Sequence, residues 1–110
     1  MANTFTRKIS RNIGTSATDV GSYTVGASTS VIVIGLSLCN VSAAAITVSA
    51  SLYDGTNEYF LVNSAPLAPG QSIVVGGGEQ KVVMITNDRI RVTSSAATSV
   101  DAVLSIMEIT

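Results

Sequence analysis

The sequence predicts an all-β protein: a single antiparallel β-sandwich or jelly roll of about eight short strands, with an extended N-terminal arm. Three observations predict it. The apolar 46% of the 110 residues is mostly Val, Ile, Leu and Ala, while Ser and Thr, 27 residues in all, supply most of the polarity. Such β-branched and small hydroxyl side chains suit pleated, half-buried strands, and the strong helix formers Glu, Lys and Gln are scarce. Apolar residues also alternate at period two in several segments, which places one face in a core and the other in water. Finally, turn residues recur about every ten positions, the spacing of a sandwich.

The first 17 residues, "MANTFTRKISRNIGTSA", hold Arg7, Lys8 and Arg11, half of all the basic residues, and no acid. They read either as a frayed terminus or as an extended arm that orders on a neighbouring subunit. In the second case Phe5, Ile9 and Ile13, spaced four apart, are the anchors, with Arg7, Lys8 and Arg11 as polar contacts. This divides the chain into an arm, 1–17, and a sandwich domain, 18–110.

"DVGSYTV" is the first expected strand. In "SVIVIGLSLCNV" the apolar positions Ile32, Ile34, Leu36 and Leu38 share a predicted face, and "NVSAA" links that strand to the next. "AITVSASLYD" alternates cleanly, with Ile46, Val48, Ala50 and Leu52 inward. Asp54-Gly55-Thr56-Asn57 is a hairpin turn, because Asp-Gly supplies the positive φ that such turns need. "EYFLVN" follows, and "APLAPGQS" is a corner, since Pro66 and Pro69 donate no strand hydrogen bond. The glycines 76–78 are expected to reverse the chain between "SIVV" and "KVVMI", with Glu79 and Lys81 available to a neighbour. Thr86-Asn87-Asp88 turns into "RIRVTS", where Ile90 and Val92 alternate with Arg89, Arg91 and Thr93. "SAAT" breaks the chain once more, and "SVDAVLSIMEI" closes it with Val100, Ala102, Leu104 and Ile106 inward.

Chemistry is sparse. There is no histidine, which removes the commonest general base and metal ligand. Cys39 is the single cysteine, so no intramolecular disulfide forms, and it reads as a small core or interface residue. The run "GGGEQKVV" invites a phosphate-cradle reading, but Lys81 is followed by Val82 and enters a strand rather than a helix. Seven carboxylates are present, and Asp54 and Asp88 sit at turns where Asp bonds its own backbone. Without Trp or a clefted carboxylate pair, no glycosidase site is legible. "YDGTNE" offers oxygens to a cation, but a turn explains them equally. Asn40-Val41-Ser42 matches a glycosylation sequon in form only. No GxSxG stretch occurs, and no enzyme, cofactor or metal site is expected.

Charged residues are 12% of the chain, about half the usual share of ~25%. A monomer so weakly charged is poorly protected against association: either Ser and Thr solvate it, or, the reading preferred, its faces are covered in an assembly. No apolar run approaches the roughly 18–20 residues of a spanning helix, and no charged-then-apolar signal opens the sequence. Three cations with one Phe make too thin a footprint for nucleic acid.

The segments "YTV", "VIGLSLCNVSAAAITVSASLYDG", "YFLVNSAPLAPGQSIVV", "GGEQKVVMITNDRIRVTSS" and "SVDAVLSIMEI" together resemble small virion structural proteins of tailed bacteriophages, notably phages of marine bacteria and cyanobacteria. The resemblance covers about residues 20 to 110. It implies a β-sandwich in a virus particle, made in the host cytoplasm, and brings no catalytic residue with it. The expected function is then a capsid decoration or cement protein, a dimer or trimer bound to other virion proteins. A neck, tail or baseplate adaptor is the alternative. A receptor- or glycan-binding module is more distant and rests on the loop-tip residues Tyr53, Asp54, Asn57, Glu58 and Tyr59.

Overall fold

A computed structural model describes residues 3–110, with the side chains of residues 76–81 outside the described part. Its strands are β1 (Asn3–Ile13), β2 (Thr18–Asp19), β3 (Ser30–Asn40), β4 (Ile46–Tyr53), β5 (Glu58–Leu67), β6 (Ser72–Met84), β7 (Arg89–Ser94) and β8 (Val100–Ile109). Two four-stranded antiparallel sheets result: sheet 1 in the order β1-β8-β3-β6, and sheet 2 in the order β2-β7-β4-β5. The pairs β1–β8, β2–β7, β3–β6 and β4–β5 describe one long hairpin rolled up so that its arms alternate between sheets. That is a jelly roll, an arrangement that buries one face of each sheet against the other.

The clearest alternations hold. Ile46, Val48 and Ala50 of β4, Ile90 and Val92 of β7, and Val100, Ala102, Leu104 and Ile106 of β8 are all buried between the sheets. Leu52 packs against them only partly. The Asp54 turn forms as expected: the Asp54 carboxylate accepts the amides of Thr56 (2.9 Å) and Asn57 (2.7 Å), and Gly55 takes φ 99°. The corner after β5 is a type II turn, in which the Gln71 amide donates to Ala68 O (3.0 Å) and Gly70 has φ 76°. Pro66 lies within β5, a strand at the edge of sheet 2, where its missing donor costs nothing.

Four expectations are corrected. Residues 3–13 do not stand off as an arm: they form β1, paired with β8 from Asn3↔Ile109 to Ile13↔Val100. Phe5 and Ile9 do share a face, but a register shift between Ser10 and Ile13, with Asn12 at φ 57°, turns Ile13 inward into the core. Of "DVGSYTV" only Asp19, the end of β2, is strand, and the chain then becomes the 3-10 turn Val20–Ser22. Gly21 there has φ 65°, and an added Cβ would lie 2.6 Å from the Lys8 Cβ, so the turn closes tightly over β1.

In β3 the buried face changes partway. Val31 and Val33 are inside, Ile34 is outside, and Leu36 and Leu38 are inside again. A bulge at Ile34–Gly35, seen as a register shift against both β8 and β6, inserts one residue and inverts the alternation. The predicted shared face of Ile32, Ile34, Leu36 and Leu38 is therefore two half-faces. Lastly, "SIVV" and "KVVMI" belong to the single strand β6, so the glycines interrupt its register opposite Gly35 rather than reverse the chain. The expected contacts of Glu79 and Lys81 fall outside the described residues.

Asn40 anchors one end of the sandwich. It is fully buried at the end of β3, and its side-chain amide donates to Ala44 O (2.9 Å) and Leu67 O (3.0 Å). Its side-chain oxygen accepts from the Ser42 amide (2.9 Å) and hydroxyl (2.7 Å). One side chain thus ties the β3–β4 link to the end of β5, and every hydrogen-bonding position it has is used. A glycan has no access to this nitrogen in the folded chain.

Candidate functional site

The register of sheet 1 brings outward-facing residues of four strands into rows. One row runs Phe5–Met107–Ile32–Val83, and another Ile9–Val103–Ser37–Val74. Between them lies the row Arg7–Ser105–Gly35, and beyond them runs Asp101–Cys39–Ser72, with the exposed Arg11 beside Asp101 inside the register shift of β1. Residues directly opposite on paired strands share a side of the sheet, and their exposure agrees: Phe5 is 74%, Ile9 52%, Val103 44% and Val74 75% accessible. Val83, Ile85 and Ile34, the last carried outward by the bulge, add to the same surface. Both the core face and the outer face of sheet 1 are therefore apolar. Among the described residues the exposed apolar side chains thus gather in rows on one face, unlike the scattered ones usual on monomers.

Of the residues expected in the arm, the structure places Phe5, Arg7, Ile9 and Arg11 together on this face. Lys8 points to the other side of β1, its Nζ 4.7 Å from the Tyr23 ring centre, and Ile13 is core. Tyr23 Oη donates to Glu108 Oε2 at 2.6 Å, and burial followed by the Glu108 carboxylate pushes the phenol well above its ordinary pKa. Tyr23 thus stays a hydrogen-bond donor throughout the working pH range and fastens the turn after β2 to β8. Where β1 and β8 change register, a cleft of about 410 Å³ opens between Ile9, Ser10, Arg11, Asp101, Ala102 and Val103. The Asn12 amide donates to Asp101 Oδ1 there (3.0 Å).

The loop-tip residues lie on sheet 2 and are only partly free. Tyr53 is covered by Arg91, whose guanidinium carbon is 3.7 Å from the ring centre, and Arg89 stands 5.1 Å away. Asp19 binds Arg91 Nε at 2.7 Å and lies 3.9 Å from Arg89; the Asp19 hydrogen bond pushes the Arg91 pKa up further. Asn57, Glu58 and Tyr59 are exposed, beside Phe60. The sequence reading missed the Arg89–Arg91–Tyr53–Asp19 cluster and the apolar rows from Val74, Val83 and Val103. The signal for the rows was present in "VLSIM" and "SIVV", where apolar residues occupy both faces of a strand. Among the described residues no group of His, Cys, Asp or Glu is placed to hold a metal ion, and no helix is long and apolar enough to cross a membrane.

Asp54 gives a pH test of its turn. The Asn57 amide, then that of Thr56, hold its carboxyl below the ordinary aspartate range. A group whose folded pKa is lowered stabilises above its unfolded value and loses that contribution as pH falls through the folded one. Asp54→Ala is therefore expected to melt below the wild type at neutral pH. Melting curves taken down to a pH of about 2 should show the gap closing once the solution is below the ordinary aspartate pKa of ~3.9.

No protein-family model matches the chain, and no curated protein matches it in sequence. Solved structures do match its fold. A chain in the structure of the infectious bursal disease virus Gx strain superposes with a TM-score of 0.59 and 14% identity, over 96% of this chain and 32% of that one. A chain of the T13 viral particle of the same virus gives 0.54 and 13%, over 96% and 34%. A chain of the Bacillus endospore appendages, described as disulfide-linked pili, gives 0.50 and 15%, over 100% and 91%. This chain thus spans about a third of the bursal disease virus chains it matches. At these identities the likeness is one of fold, the two-sheet β-sandwich.

Proposed function

We propose that this chain is a non-enzymatic structural subunit of a virus particle: a decoration or cement protein on the outer shell of a tailed bacteriophage. The observation that carries the reading is the exposed apolar face of sheet 1 on a chain with only 12% charged residues. Such a face is unfavourable in water and becomes favourable when a neighbouring subunit covers it. The sandwich likeness to viral particle chains supports the same reading. In this reading Phe5, Arg7, Ile9 and Arg11 of β1 contact the neighbour from within the sheet, so no detached arm is needed.

A second reading, a neck, tail or baseplate subunit, is favoured by the likeness to a pilus chain of nearly the same length. Quantitative mass spectrometry of purified particles separates the two. A shell protein is expected in the hundreds of copies per particle, a neck or tail protein at roughly a dozen, following the symmetry of each site. Absence of the protein from purified particles would overturn both.

A further inference from the structure

We infer that β1 is an exchangeable strand: in a pair of copies, residues 3–11 of each chain leave their own sheet and take the same place beside β8 of the other copy. This exchange goes beyond the virion role and stands whether or not the chain belongs to a particle.

Up to Asn12, β1 puts no buried side chain into the core. Thr4, Thr6, Lys8 and Ser10, on the side of the strand facing the turn after β2, are all polar, and Phe5 and Ile9 are exposed on the other side. Undocking the strand therefore removes none of its own apolar groups from the interior. Beyond the ladder it is held by polar contacts. Ser10 Oγ accepts the Gly21 amide (2.8 Å), Lys8 Nζ lies 4.7 Å from the Tyr23 ring centre, and the Asn12 amide donates to Asp101 (3.0 Å). The exposed side of β8 is a different matter. Ala102, Leu104 and Ile106, opposite Ser10, Lys8 and Thr6, are core residues. Its eight successive pairs from Asn3↔Ile109 to Ser10↔Ala102 would also lose their partner. A strand must cover this edge, and the β1 of an identical chain fits it in the same register.

The hinge lies at the end of β1. The register breaks between Ser10 and Ile13, and Asn12 there has φ 57°. Just beyond, the chain is fixed: Ile13 is core, Ile13 O accepts the Ser99 amide (3.0 Å), and Gly14 O accepts the Ser94 amide (2.9 Å). Folding β1 back onto its own β8 thus needs a left-handed residue, a conformation that costs L side chains energy. Crossing to the other copy abandons that turn at both hinges, and the contacts of β1 with β8 are remade. Exchange is opposed by the high effective concentration of a strand tethered to its own sheet, of order mM. The hinges are short, so the two Ile13 residues of a pair lie within roughly 20 Å of each other. Two Arg11 and two Asp101 then meet near the axis, a balanced set of charges.

The test uses the full chain refolded from denaturant. Refolding at about 0.5 mM is expected to give a dimer fraction in sedimentation, and refolding at about 1 µM only monomer. Arg7→Cys and Ser105→Cys, directly opposed across the β1–β8 ladder, are combined in a Cys39→Ser background, where they stand within disulfide reach. Dimer and monomer are separated while reduced and then oxidised. On a denaturing gel the dimer should run as a covalent pair and the monomer as a single chain. At the hinge, Asn12→Gly, which the turn accepts, is expected to lower the dimer fraction below that of the wild type. Asn12→Val should raise it, with the two dimerisation constants apart by roughly a hundredfold, about tenfold for each hinge. A chain that stays monomeric at about 0.5 mM, a dimer whose oxidised chains separate on the gel, or an Asn12→Gly variant that dimerises as the wild type does would each overturn the exchange. The virion role is tested separately, by the copy number in purified particles.

Discussion

Val33→Asp is expected to lower the unfolding free energy by more than about 4 kcal/mol, whereas Ile34→Asp, one residue along, should change it by less than about 1 kcal/mol. Val33 is 1% exposed and packs between the sheets, where a carboxylate would find neither water nor a partner. Ile34 is 39% exposed on the outer face of sheet 1. Against a total stability of about 5–15 kcal/mol, the first change removes most of the margin, and the second leaves it intact. Urea titrations at low protein concentration, where any pairing of sheet faces is absent, measure the two. The contrast tests the bulge directly. A regular β3 continuing the alternation of Leu36 and Leu38 would bury Ile34 and expose Val33, so the opposite ranking would show that the inversion at Ile34–Gly35 is wrong.

Asn40 should be the most sensitive polar position. Asn40→Ala removes the donors to Ala44 O and Leu67 O and the acceptor for Ser42, leaving the buried Leu67 O without a partner and the β3–β4 link without its anchor. At about 1–3 kcal/mol for each stranded group, and with some relaxation of the link, a loss near 3 kcal/mol is expected. For a domain of this size that is a fall in melting temperature of about 12 °C or more. Asn40→Asp should be worse than Asn40→Ala despite its similar shape. Its carboxylate has no hydrogens to donate and would face two carbonyl oxygens in a dry site. Thermal melts at neutral pH rank the two; a milder effect for the aspartate would mean that the amide nitrogen is not the group that matters. No other fully buried Asn, Asp, Gln or Glu side chain is found among the described residues.

How much was legible follows from how far each cause reaches along the chain. The alternation in β4, β7 and β8 was readable because the pleat places residues i and i+2 on one face whatever lies opposite. The Asp54 and Asn87 turns were readable because their hydrogen bonds close within three residues. The bulge at Ile34–Gly35 was not. It exchanges the faces of a run in which both faces are apolar, so composition does not record where the exchange occurs. The 3-10 turn at Val20–Ser22 hid for a related reason, since Gly21 closes over Lys8, a residue outside its own segment.

The candidate site was half legible. Phe5, Arg7, Ile9 and Arg11 were singled out as contact residues, and they do lie together on an exposed face. Their setting was missed, because the partner of β1 is β8 at the opposite end of the chain, with Asn3 beside Ile109. Tyr53 was singled out as well, but Arg91 and Asp19, which cover and orient it, come from two other strands.

The sequence by itself determined the class of this protein: an all-β sandwich with little charge, without histidine or a disulfide, and with most of its turns in place. Those properties follow from side-chain types and from spacings of two to four residues, which act locally. Only the tertiary structure decided that residues 3–13 belong to the sheet, that the glycines interrupt a strand instead of reversing it, and that apolar residues from β1, β8, β3 and β6 merge into one exposed face. Each of those depends on register between strands far apart in sequence, and register is set by the joint burial of both sheets rather than by any single segment.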